Sequence, residues 1–219
     1  MSSNRVPETH QAPPGAGKIV IISSPSGGGK TTICQELLSA DRRAAGWKFS
    51  ISFTTRAMRQ GEQDGREYYF VTDDEFDNLA EQNFFAEHFK VHRYKYGTPR
   101  GPLEQVVRDG GVMILDVDVN GAKRLREEFP HAITIFIMPP SVAALRARLK
   151  QRGTETEEQL RVRFETAREE MTHFAAFGFQ YVVVNDTLSK AVREVLAIIE
   201  AHHCRIENIP EEQLRNILS

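Results

Sequence analysis

Seven consecutive residues, Ser26-Gly27-Gly28-Gly29-Lys30-Thr31-Thr32, have the types and spacing needed to hold a polyphosphate. Glycines let the backbone wrap closely around an anion with its N–H groups pointing inward. A helix opening at about Lys30 would aim its positive end at the same anion. Lys30 would add a point charge on the outer phosphates, and the Thr31 hydroxyl would ligate a magnesium ion. The apolar, β-branched run before the loop, residues 18–22, reads as a strand. Cys34, Leu37 and Leu38 give the following helix a buried face. Ser24 stands where the motif G-x-x-x-x-G-K-[ST] has its first glycine, which bears on the backbone at the start of the loop and leaves Gly29-Lys30-Thr31 intact.

Three further groups have chemistry to offer. Arg56 and Arg59, followed by Glu62 and Tyr68, would hold a second phosphate, because the guanidinium fork matches phosphate oxygens bidentately and Glu62 could orient one fork. The bland alternative is a solvated charged loop. Asp116 and Asp118 close a buried strand near Thr31. Alternation puts both on one side if the strand runs that far, with Asp116 the better candidate for the magnesium side. Arg148 and Arg152 lie one helical turn apart, and Arg163 lies on the next helix. The glutamates around them make a salt-bridged surface the competing reading.

These residues need elements to hold them. With 219 residues, the chain can build one sizeable core carrying an inserted subdomain, or two small domains. Its 30 acidic and 28 basic residues nearly cancel, giving a net charge of −2, so no general affinity for nucleic acid or a membrane surface is expected. The longest apolar runs are strand-sized, too short to span a bilayer. Cys34 and Cys204, both on predicted helices, read as reduced, buried thiols of a cytoplasmic protein.

Residues 1–17 read as a disordered leader without a secretory core, and 206–219 as a tail. The alternation in residues 47–53 predicts a strand, and residues 68–71 a second. Thr72 and Glu75 form a capping box, and 84–91 and 95–98 read as antiparallel strands stopped by Pro99. No long helix separates these strands, so 50–98 reads as a small β-rich insertion. Strand–helix alternation then returns, with strands at 111–116, 132–138 and 181–184 and helices at 120–129, from Ser141, from 154 to about 177, and at 188–203. The expected class is α/β, a parallel sheet covered by helices on both faces with the glycine loop at the carboxyl end of its first strand.

The string Ser50-Ile51-Ser52-Phe53-Thr54-Thr55-Arg56-x-x-Arg59-x-Gly61-Glu62-x-x-Gly65-x-x-Tyr68 closely resembles the signature of the guanylate kinases. So do Tyr96-Gly97-Thr98-Pro99, Ile114-Leu115-Asp116-Val117-Asp118, Pro139-Pro140-Ser141 and Arg152-Gly153-Thr154-Glu155-Thr156-Glu157-Glu158. The match runs in order from about residue 18 to 203. Residues 92–95 are bulkier and more charged than is usual in the family.

The resemblance implies ATP-dependent phosphorylation of GMP with magnesium. It divides the chain into a P-loop core (18–49, 99–140 and 178–205), a GMP-binding subdomain (50–98) and a helical lid (141–177). Carried over by position, Ser26 to Thr32 and Asn185 would bind ATP. Arg56, Arg59, Tyr68 and Tyr96 would clamp the GMP phosphate, and Ser52, Glu87 and Thr98 would read guanine, with Asp116 and Asp118 beside them. Lys30, Arg152 and Arg163 would be catalytic, and Thr31 and Asp116 would serve the metal. Two alternatives remain: a non-catalytic interaction module of the same fold, which typically loses the loop lysine or the clamp arginines, and a kinase for another monophosphate.

Overall fold

The run leading into the glycine loop forms β1 (Lys18–Ser23), all six of whose residues are buried. Such a strand needs a neighbour on each side and cover on both faces. It has both. The computed structural model describes residues 17–91, 93–151, 157–205 and 215–216. In it β1 is the middle of a five-stranded parallel sheet ordered β2 (Trp47–Phe49), β7 (Val112–Asp116), β1, β8 (Ile133–Met138), β9 (Tyr181–Val184). Alternate side chains of β1 point to opposite faces. Val20 and Ile22 pack with Ile33 and Leu37 of α1 (Lys30–Leu37) and Val195 and Ile199 of α8 (Leu188–His203). Ile19 and Ile21 pack with Leu103 and Val106 of α4 (Arg100–Asp109) and Leu125 of α5 (Val119–Glu128). The fold is α/β, with the glycine loop at the carboxyl end of the central strand.

A second sheet stands apart, ordered β4 (Tyr69–Phe70), β3 (Phe53–Thr54), β6 (Tyr94–Pro99), β5 (Phe85–Val91). Helix α3 (Asp73–Glu81) packs on it through Phe76, stacked on Phe85. Thr72 and Glu75 form the predicted capping box at its start. Between β8 and β9 lie α6 (Val142–Gln151) and α7 (Glu157–His173), which meet through Leu145, Leu149 and Ala167. The start at 154 expected for the second of these helices lies outside the described residues.

Several expectations need correction. The strand expected over 47–53 is two strands in two sheets. The Ser50 N–H still reaches the Ile114 carbonyl at 2.9 Å, but by Ser52 the backbone has turned to bond Tyr69 instead. Helix α4 was hidden because Arg100-Gly101-Pro102 looks like a turn. Pro102 sits in the first turn, where its missing N–H has no helical partner to lose, and Gly110 at φ 76 ends the helix. The loop helix stops at Leu37, and a separate turn, α2 (Ala40–Ala44), is capped by Ser39. Strand β6 ends at Pro99, which is its last residue and the N-cap of α4. Cys34 is buried as expected, whereas Cys204 is exposed beyond the end of α8.

Candidate active site

A cleft of about 1430 Å³ opens between the glycine loop, the small sheet and α7, lined by Lys30, Thr31, Ser52, Tyr68, Asp116 and Arg163 among others. The loop is held open by its backbone. Gly27 and Gly29 have φ of 85° and 91°, a region costly to side chains with a Cβ. At Gly29 a Cβ would also stand 2.3 Å from Asn185 Nδ2. Ser24 fits without disturbing this arrangement, with its hydroxyl donating to the Pro25 carbonyl at 3.0 Å.

Asn185 is buried and donates through Nδ2 to the Gly28 carbonyl at 2.9 Å. Arg148 donates to the Asn185 carbonyl at 2.8 Å, so both residues brace the loop from behind. Lys30 Nζ lies 2.5 Å from Asp116 Oδ1 and donates to the Val117 carbonyl at 2.8 Å. Thr31 donates through Oγ1 to Asp116 Oδ2 at 2.9 Å. A hydroxyl and a carboxylate so paired are the hard oxygen donors a magnesium ion takes. Among the described residues no cluster of three or more His, Cys, Asp or Glu could hold a metal ion.

Across the cleft, Arg56 is almost fully buried and fixed from three directions. Glu62 accepts both terminal nitrogens, at 3.0 and 2.8 Å. The Ala57 carbonyl accepts at 2.7 Å, and the rings of Tyr68 and Phe70 lie 5.5 and 5.7 Å from the guanidinium carbon. The bond to Glu62 raises the arginine's pKa further and holds the Glu62 carboxyl below its usual range. Glu62 also accepts the Arg59 N–H at 2.7 Å, which shapes the loop that leaves Arg59 exposed. Tyr68 and Tyr96 rings are 5.9 Å apart, and Tyr96 stacks on Phe89. Burial pushes the Tyr68 hydroxyl up, keeping it a neutral donor.

Beneath the same sheet Glu87 is 5% exposed. An irregularity in β5 between Phe85 and Glu87 shifts the register there, as a bulge does when it re-aims a side chain. Thr98 donates to Glu87 Oε1 at 2.6 Å, while Oε2 has no partner. Burial first, and then the nearby Asp118 charge, push the carboxyl up to about 7, against a partial lowering by the Thr98 bond. This is a pocket with an acceptor held ready.

Helix α7 brings Arg163 over the loop, with Nη2 2.7 Å from Ser26 Oγ. One cleft therefore brings a phosphate loop together with Ser52 and Tyr68 and a cation on an overlying helix, while the buried Arg56 and Glu87 stand outside its direct lining.

Comparison with known proteins gives the family. Residues 16–202 match the family model for guanylate kinase. The chain belongs to the guanylate kinase family. It is 41% identical to the guanylate kinase of Caldanaerobacter subterraneus subsp. tengcongensis over 87% of this chain and 90% of that one. It is 42% identical to that of Symbiobacterium thermophilum over 86% and 87%. The crystal structure of guanylate kinase from Anaplasma phagocytophilum superposes with a TM-score of 0.71 at 33% identity, covering 88% of this chain and 89% of that one.

Within this guanylate kinase fold the candidate residues fall into three groups. Ser26, Gly27, Gly29, Lys30, Thr31, Ser52, Tyr68, Asp116, Asp118 and Arg163 line the cleft directly. Arg56, Tyr96, Glu87 and Thr98 stand in the small sheet or the loop behind it. Gly28 and Asn185 support the loop from below, and Thr32 is exposed on α1. Arg152 lies outside the described residues. The argument from alternation for Asp118 is corrected, since β7 ends at Asp116 and Asp118 is the N-cap of α5, accepting the Gly121 N–H at 2.7 Å.

The unusual segment before Tyr96 has a structural use. Lys95 Nζ pairs with Asp77 at 2.7 Å and Asp73 at 3.2 Å, tying β6 to α3. Glu170, which lines the cleft, escaped notice in the sequence, and Arg148 was singled out there only for sharing a helical face with Arg152.

Proposed function

We propose that this protein transfers the γ-phosphoryl group of ATP to GMP, giving ADP and GDP, with residues 50–98 as the GMP subdomain and 141–177 as the lid. The observation that carries the choice of substrate is Glu87, a buried carboxylate with one oxygen bonded to Thr98 and the other without a partner. Guanine offers two adjacent donors, N1–H and N2–H, which a carboxylate accepts together, and an O6 acceptor for a hydroxyl such as Ser52. Adenine has no such pair and would leave the buried acceptor unsatisfied. The GMP phosphate would meet Arg56, Arg59, Tyr68 and Tyr96.

ATP would enter on the loop side. Its phosphates would draw Lys30 away from Asp116 and take the inward N–H groups of the loop. Thr31 and Asp116 would hold magnesium, which when bound neutralises charge on the β- and γ-oxygens. Arg163, and Arg152 by the family match, would stabilise the phosphoryl group in flight, and the clamp would hold the GMP oxygen in line with it.

The interaction-module alternative finds no support in the site, where Lys30, Arg56 and Arg59 are all present. Unbridged Cys34 and Cys204 support a reducing, cytoplasmic setting. Among the described residues no helix is long and apolar enough to cross a membrane. A coupled ADP-release assay over GMP, AMP, CMP, UMP and dTMP tests the proposal. GMP should exceed the others in kcat/KM by orders of magnitude, and equal use of AMP, or no turnover of any, would sink it.

A further inference from the structure

Glu87 owes its place to its strand. One of its carboxylate oxygens is bonded to Thr98 and the other has no partner, so its direction is set mainly by the backbone of β5. That backbone departs from regular pairing with β6 just before Glu87, where the register shifts, and an interrupted ladder holds a strand less firmly than a continuous one. The core fixes β5 from the other side.

Upstream of Glu87 the attachment is partly apolar, with Ala86 packed against the core cluster that includes Leu103 and Leu125. Arg100, at the start of α4, reinforces this end. Its N–H donates to the Phe84 carbonyl at 2.9 Å, its Nη2 reaches the Phe85 carbonyl at 3.4 Å, and its Nη1 pairs with Glu128 of α5. Downstream the attachment is different. Phe89 rests on the first turn of α5, where a Cβ at Gly121 would stand 3.3 Å from its ring. Beyond that contact β5 and α5 part around a cavity of about 390 Å³, lined by Lys90 from the strand and by Asn120, Lys123 and Glu127 from the helix. Polar and charged side chains thus stand where apolar packing would otherwise join the two elements. Arg124 also lines this cavity, and it donates through Nη1 to the His88 carbonyl.

We propose that Arg124 is a positioning residue for guanine recognition, tying the downstream side of β5 to α5 so that Glu87 is presented to the N1 and N2 edge of GMP in one orientation. The proposal rests on the reading of Glu87 given above. Glu87 stands between the apolar anchor at Ala86 and the polar one at His88, so losing the second leaves the strand held on one side. A carboxylate that must accept two donors at once tolerates little rotation. Arg124 lines the cavity behind the strand and not the cleft, so its effect on the base passes through β5. The glycine loop, carried by β1 and α1, is independent of it.

The test is steady-state kinetics with GMP and with AMP, and thermal melting, of the full chain carrying Arg124→Ala, Arg124→Lys, Glu87→Ala, and Arg124→Ala with Glu87→Ala together. Arg124→Ala should raise KM for GMP roughly 3- to 10-fold, the span of one hydrogen bond, with kcat and KM for ATP within about twofold. The preference for GMP over AMP in kcat/KM should fall by the same factor. Arg124→Lys keeps a charged donor on a long stem and should restore most of the preference. In the Glu87→Ala background the Arg124→Ala change should add little, since it acts through Glu87. The melting temperature should stay close to wild type, because Arg124 and His88 are both exposed. If it falls, the double variant still decides, since a general loosening would add its own loss to that of Glu87→Ala. An unchanged preference for GMP in Arg124→Ala overturns the proposal, as do losses that multiply in the double variant and equal rises in KM for GMP and ATP. An unchanged preference in Glu87→Ala is a separate outcome that removes the reading of Glu87 and this proposal with it.

Discussion

The ammonium of Lys30 rests on the carboxylate of Asp116, 2.5 Å from Oδ1, and this pairing is set by the sheet. β1 and β7 are hydrogen-bonded neighbours in a register that pairs Ile22 with Asp116. The loop that follows β1 therefore carries its lysine back over the end of β7. The cation is thereby satisfied inside the protein.

Replacing Lys30 with Ala removes the charge meant for the transition state. kcat should fall by about 100-fold or more, the size of a lost contact to developing charge, with a melting temperature close to wild type. Single-turnover kinetics with GMP saturating is the measurement, and near wild-type kcat would remove the loop from its catalytic role.

Glu62→Ala should act through Arg56. The buried guanidinium would lose both of its carboxylate bonds and its fixed direction, so KM for GMP should rise by roughly 10- to 100-fold while KM for ATP stays within about twofold. Steady-state titration of each substrate separates the two effects. Equal rises in both KM values would mean that the small sheet as a whole had been disturbed.

Glu87→Ala should weaken GMP selectively, by roughly 2–4 kcal/mol in kcat/KM, since guanine's two donors would then lie buried without acceptors. The check is kcat/KM for GMP and AMP, with binding of an ATP analogue as the control. An unchanged preference for GMP would remove Glu87 from base reading.

The same carboxyl makes the protein pH-sensitive. Its pKa is raised from 4.5 to about 7 in the folded chain, so the folded state holds the extra proton between those values. Stability from this group is complete below about 4.5 and is lost as pH rises through 7, by at most about 3 kcal/mol. GMP binding has the opposite sign. If Glu87 reads guanine as proposed, the base takes the ionised form, so below pH 7 binding would first expel a proton, and KM for GMP should worsen by up to about tenfold per unit of acidification. Glu87→Gln should flatten both dependences relative to wild type. If the stability slope between pH 5 and 7 were identical in Glu87→Gln, the proton would belong to another group.

The phosphate loop was legible because its chemistry is local. Three glycines, Lys30 and Thr31 act through a few adjacent backbone groups, and the β-branched run before them has one structural meaning. The Arg56–Glu62 pair was legible for the same reason, being six residues apart in one loop. Contacts that close across the fold were not. Nothing near Asn185 in sequence shows that its amide would support Gly28, 157 residues away. Nothing near Glu170 sets it apart from the exposed Glu169 beside it, because only the packing of α7 on α6 decides which glutamate turns inward. Elements were missed where a local signal was ambiguous, as at Arg100-Gly101-Pro102, which reads as a turn although it opens α4.

The split of residues 47–54 into two strands of different sheets also implies that the molecule has two melting units. Every strand of the large sheet is parallel and β1 is buried along its whole length, whereas β3 and β4 are two residues each. The main chain enters the small sheet after β2 and leaves it at β6. Amide hydrogen exchange should therefore be graded. Protons on β1 and β7 should be released only when the whole chain unfolds, and those on β3 and β4 through a cheaper opening that leaves the core intact. If so, bound GMP should slow exchange in the small sheet far more than in the core, because the ligand would bridge a part of the molecule able to open alone.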